Sequence, residues 1–97
     1  MIEHIVLVKV KPEFEGSIDE ICNALTGLKE KIPEIVEISA GRNFAGRSQG
    51  FQFGLRSLFK SKDDLQTYND HPAHQDLVKT MIAPVKEDVI AFDFERA

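Results

Sequence analysis

At 97 residues, with 42% apolar and 29% charged side chains, the chain has the profile of one globular domain, residues 1–97, with little room for a second. A net charge of −4, with basic residues scattered among acids, argues against nucleic-acid binding, which needs a concentrated basic face. No apolar run approaches the roughly 18 residues of a membrane span, and Cys22, the only cysteine, has no partner for an internal disulfide or a CxxC zinc pair. Cys22 lies among Ile18, Ile21 and Leu25, so a buried apolar thiol is expected. The start, MIEHIVLVKVKP, lacks a basic leader region and a small-residue cleavage site and reads as a strand. A cytoplasmic location is the expectation.

Residues 2–10 (IEHIVLVKV) are rich in β-branched side chains and stop before Pro12, which predicts the first strand. Ser17-Ile18-Asp19-Glu20 has the form of a capping box, with Ser17 as N-cap and Glu20 at N3. Behind it Ile18, Ile21, Cys22, Leu25, Leu28 and Ile32 recur at spacings of three and four, the apolar stripe of a helix that Pro33 ends. Residues 35–42 (IVEISAGR) and about 50–60 (GFQFGLRSLF) read as the second and third strands, joined by a polar loop with Gly41, Gly46 and Gly50. Ser61-Lys62-Asp63-Asp64 opens a second helix with an N-cap serine and acids in its first turn. Pro72 disfavours helical geometry at His71 and itself suits a first turn, so another helical piece is predicted from Pro72 to about Ala83. Residues 85–94 (VKEDVIAFDF) read as the fourth strand.

The order β-α-β-β-α-β predicts a ferredoxin-like α+β fold, with a four-stranded antiparallel sheet and helices on one face. Alternation puts Ile5 and Leu7 on one side of the first strand and Val6, Val8 and Val10 on the other. The fourth strand likewise offers Ile90, Phe92 and Phe94 on one side and Val89 and Ala91 on the other. Both faces of the sheet are therefore largely apolar, and an apolar face left open is a liability unless another surface covers it. A homodimer through the open sheet face is the expected partner arrangement.

Tyr68-Asn69-Asp70-His71-Pro72-Ala73-His74 holds two of the three histidines and the only tyrosine. Proton abstraction next to a carbonyl needs a base that titrates near neutrality, which His74 supplies, and a tyrosine hydroxyl such as that of Tyr68 can polarise the carbonyl oxygen. His71, directly before Pro72, is read as a capping or orienting residue at the edge of the same pocket. His71-x-x-His74 lacks the i, i+4 spacing of a helical metal pair, so no metal site and no cofactor are expected. The loop Gly41-Arg42-Asn43-Phe44-Ala45-Gly46-Arg47 lacks the spacing and lysine of a phosphate loop and reads as a connection, with Arg42 and Asn43 candidates for a pocket mouth. The seven phenylalanines are expected in the core and the dimer interface.

The opening EHIVLVKVKP, the central IPEIVEISAGRNF, the stretch GFQFGLRSLFKSKDDLQTYNDHPAHQDLV and the closing AFDF resemble the stress-responsive α/β-barrel domain (Dabb) family over almost the whole chain. The resemblance implies a ferredoxin-like monomer that dimerises through its open sheet into a barrel-like core. The family contains stress proteins, domains of unassigned activity and a plant polyketide cyclase, olivetolic acid cyclase, which closes a ring by aldol chemistry without a cofactor. The resemblance matches that enzyme's catalytic tyrosine and histidine to Tyr68 and His74, and an N-terminal pocket histidine to His4. A further pocket histidine of the cyclase is replaced here by Phe53, which makes the pocket less polar. The resulting expectation is a small, mostly apolar pocket for a small organic ligand, with a cyclase-like enzyme and a purely structural stress-response dimer as the alternatives.

Overall fold

A computed structural model describes all residues, 1–97. Strand β1 (Ile2–Val10) leads through a tight 3-10 turn (Pro12–Ser17) into helix α1 (Ile18–Gly27). Strands β2 (Glu37–Arg42) and β3 (Phe53–Phe59) form the next hairpin. Helix α2 (Lys62–Asp70), helix α3 (Pro72–Leu77) and strand β4 (Lys86–Glu95) complete the chain. The sheet runs β2-β3-β1-β4 and every neighbouring pair is antiparallel, which is the ferredoxin-like arrangement predicted from the order of elements.

The ladders fix which side chains share a face. His4 lies opposite Ser57 and Asp93, and Val8 opposite Phe53 and Val89, all towards the helices. Ile2, Val8, Val10, Phe53, Leu55 and Phe59 meet the helical stripe Ile18, Ile21, Leu25 and Leu28 there and make the core. Burial pushes the Cys22 thiol pKa up, so it packs as a small apolar group, as its neighbours suggest. On the other face Leu7, Ile90, Phe92 and Phe94 stand exposed. Glu3 is nearly enclosed there by Arg56 and Arg96, each with a guanidinium nitrogen 2.9 Å from its carboxylate, and these contacts hold the Glu3 carboxyl below the usual range. No helix is long and apolar enough to cross a membrane.

Four local expectations need correction. Ser17 does not cap α1: its backbone is already helical (φ −91°, ψ −6°) because the 3-10 turn that starts at Pro12 runs straight into the helix, and its side chain makes no cap bond. An N-cap needs extended backbone to aim its oxygen at the free N–H groups. The first helix also stops at Gly27 and tightens into a 3-10 turn (Leu28–Glu30) instead of running to Ile32. The piece after Pro72 stays α-helical only to Leu77 and then widens into a π turn (Val78–Ile82), where the Ala83 N–H donates to the Val78 carbonyl at 2.8 Å. Phe44 is neither core nor on the sheet face, being 100% exposed on the β2–β3 loop. Ser61 does cap α2: it is extended (φ −152°, ψ 164°) and accepts a 3.1 Å bond from the Asp64 N–H. Ser61→Ala is therefore expected to cost about 1 kcal/mol in urea unfolding and Ser17→Ala only a few tenths. Equal losses would contradict this assignment.

Candidate functional site

Between the sheet and the helices lies a cavity of about 220 Å³ with mostly apolar walls. Strand β1 brings His4 to it, β3 brings Phe53, α2 brings Tyr68, and α3 brings His74. Ring centroids place Tyr68 between the two imidazoles, 5.9 Å from His4 and 4.5 Å from His74, with Phe59 5.0 Å away. The break at His71-Pro72 makes this arrangement. It ends α2 just after Tyr68 and restarts the chain as α3, so two residues six apart come to one cavity.

Tyr68 is 0% exposed and its hydroxyl has no hydrogen-bond partner within the protein. Burial pushes its pKa up to about 12, so at neutral pH it is a donor in want of an acceptor. His74 Nδ1 lies 3.0 Å from the Asn69 carbonyl oxygen. A carbonyl only accepts, so Nδ1 carries the proton and Nε2 keeps its lone pair. Desolvation lowers the His74 pKa, with His4 and His71 adding to the effect and the Asn69 bond opposing it, so the neutral base form is favoured. His4 is buried and its Nδ1 donates to the Asp93 carboxylate, its cross-strand partner on β4. That contact fixes the His4 tautomer and leaves its Nε2 unprotonated when the ring is neutral.

His71 lies outside this cavity. Its backbone is extended and its Nδ1 accepts a 3.0 Å bond from the Ala73 N–H, capping α3. Arg42 and Asn43 border a different, open depression of about 640 Å³ at the β2–β3 end of the sheet. Arg42 is held there by Asp19 at 2.8 Å and the Glu15 carbonyl at 3.2 Å, while Asn43 closes a local turn onto Ala45. Phe53 lines both hollows and is 1% exposed. No three His, Cys, Asp or Glu side chains are grouped as metal ligands would be. Sequence reasoning did not give Asp93 its role beside His4. Its parity on the fourth strand carried the signal, since Asp93 falls on the same face as Val89 and Ala91.

The sheet order and one-sided helices define a ferredoxin-like α+β domain, and its sheet–helix cavity carries a phenol and two imidazoles. More narrowly, the chain belongs to the stress-responsive A/B barrel domain (Dabb) family, whose model matches residues 2–96. It is 32% identical to a stress-response A/B barrel domain-containing protein of Arabidopsis thaliana over 97% of this chain and 36% of the relative, so it spans about a third of that relative's length. A dimeric protein of unknown function and ferredoxin-like fold from Bacteroides fragilis superposes with a TM-score of 0.87 at 29% identity, covering 98% of this chain and 95% of that one. Hydroxynitrile lyase from Passiflora edulis shares the fold, with a TM-score of 0.85 at 23% identity over 96% of this chain and 90% of its own.

Proposed function

We infer that residues 1–97 act as one domain that pairs through its open sheet face into a barrel-like homodimer, and that each copy binds a small organic molecule with a carbonyl or phenolic oxygen in the cavity beside Tyr68. The observation that carries the ligand reading is the Tyr68 hydroxyl, fully buried, unpartnered and on the wall of an apolar hollow. A buried polar group without a partner costs about 1–3 kcal/mol, a cost that a ligand oxygen removes. Ligand sites have this composition, apolar walls with few convergent polar groups. The dimer reading is supported by exposed Leu7, Ile90, Phe92 and Phe94, and by the description of the Bacteroides fragilis structure as dimeric.

His74 favours a second, enzymatic reading. A neutral imidazole with its Nε2 lone pair free, 4.5 Å ring to ring from a phenol that stays protonated, suits removal of a proton next to a carbonyl whose oxygen Tyr68 holds. Saturation-transfer NMR against small aromatic ketones, aldehydes and phenols tests both readings. Wild type is expected to bind members of this set, and His74→Ala to bind them at least about tenfold more weakly, the scale of one lost hydrogen bond and its packing. Exchange of the ketone's α-hydrogens in deuterium oxide, lost in His74→Ala, supports the enzyme. Absence of binding, or binding indifferent to the substitution, leaves a structural dimer as the account.

A further inference from the structure

We propose that the cavity takes a small organic anion, a carboxylate on an apolar body, and that Lys86 selects it. This rests on the cavity reading above and adds the charge of the ligand. The observation is a slip in the β1–β4 ladder. Pairing runs in register from Ile2 opposite Glu95 to Lys9 opposite Asp88, and then Val10 faces Lys86 instead of Glu87. A bulge of one residue turns the side chains beyond it to the other face of the sheet. Val10 is a core residue of the helix-side face, 1% exposed, and Lys86 follows it there. In an unbroken ladder Glu87 would hold this place. The bulge thus exchanges an acid for a base at the rim of the cavity.

The lining agrees. Among the 14 residues around the cavity there is no aspartate and no glutamate, and Lys86 is the only one with a permanent charge. Its ammonium makes no ion pair or hydrogen bond within the chain, as holds for every lysine here, and it is the one lysine on the cavity wall. A single unpaired cation beside low-dielectric walls attracts an anion with little competition from the protein's own acids. Lysine suits a lining position that is itself exposed, because a long apolar stem can follow an apolar wall while the charged end keeps its water. The ligand's polar groups then meet two sites, Lys86 at the rim and Tyr68 inside, with an apolar body between them.

The test compares 4-acetylbenzoate with its neutral isostere 4-acetylbenzamide by NMR titration of the full chain at low ionic strength. Wild type is expected to bind the acid at least about tenfold tighter than the amide, the scale of a charge-assisted hydrogen bond. Lys86→Gln is expected to erase that preference through loss of the acid's affinity, with the amide's affinity changing by less than about threefold, and Lys86→Glu to reverse it. Lys86 is exposed, so both variants should keep the fold. Amide binding with no preference for the acid, or a preference that survives Lys86→Gln, overturns the charge selection and leaves the cavity reading standing. Binding of neither compound overturns both.

Discussion

Phe92→Asp is expected to abolish the proposed homodimer and leave a monomer. Phe92 is 62% exposed in the single chain, flanked on the same face by Ile90 and Phe94, so the substitution removes little that holds the monomer together. Burying a phenylalanine contributes about 1.5–3 kcal/mol, and a two-fold axis counts it twice. An aspartate in its place adds the cost of an unpaired buried charge. At 1.4 kcal/mol per factor of ten, the dissociation constant should rise at least about 100-fold. The face is otherwise prepared for burial. Glu3 is ion-paired with Arg56 and Arg96, and Glu37 with Arg56, so these charges already have counter-charges within one chain. Gly41 and Gly54, direct partners across β2 and β3, border an open depression beside Leu7 on this face, space that a second copy would have to fill. Sedimentation velocity at micromolar concentration decides the matter, with Phe44→Asp as the control on a fully exposed loop residue. A wild-type monomer would end the dimer reading. A Phe92→Asp dimer of unchanged strength would move the interface elsewhere.

The elements that could be read from the sequence are those governed by alternation and by local backbone chemistry. Two-residue periodicity in the first and fourth strands assigned both faces of the sheet, including the unusual case of a sheet apolar on both sides. The Ser61 cap and the restart at Pro72 are local steric facts, and both stand in the structure. What was not legible depends on hydrogen-bond register. Ser17-x-x-Glu20 has the letters of a capping box, yet the turn begun at Pro12 places Ser17 in helical backbone. The π turn at Val78–Ile82, which brings both of its end residues to the cavity, is a shift of one carbonyl in the bonding pattern and leaves no periodic mark. The slip that aims Lys86 is likewise a property of two paired strands, invisible in either alone. Within the candidate site, Tyr68 and His74 are singled out by their clustering and by the family resemblance, and the proline break lets both reach one cavity. The contact of His4 with Asp93 needed the pairing of the first strand with the last.

Tyr68→Phe is expected to change stability and ligand affinity in opposite directions. A tyrosine kept for structure would donate a hydrogen bond inside the protein, and losing that bond would destabilise the fold by about 0.5–1.5 kcal/mol. The Tyr68 hydroxyl has no such partner, while its ring packs between His74, Phe59 and His4. Phenylalanine keeps those ring contacts and removes only the group whose burial is uncompensated. The free protein should therefore unfold in urea with a stability unchanged or raised by up to about 1 kcal/mol. Affinity for a ketone or phenol found in the NMR screen should fall about three- to tenfold, the worth of one neutral hydrogen bond. If the same ketone exchanges its α-hydrogens on the protein, exchange should fall further than binding, because the bond to the oxygen strengthens as charge develops there. A clear loss of stability with unchanged affinity would give Tyr68 a purely structural role and turn the His4–Tyr68–His74 cluster into core packing.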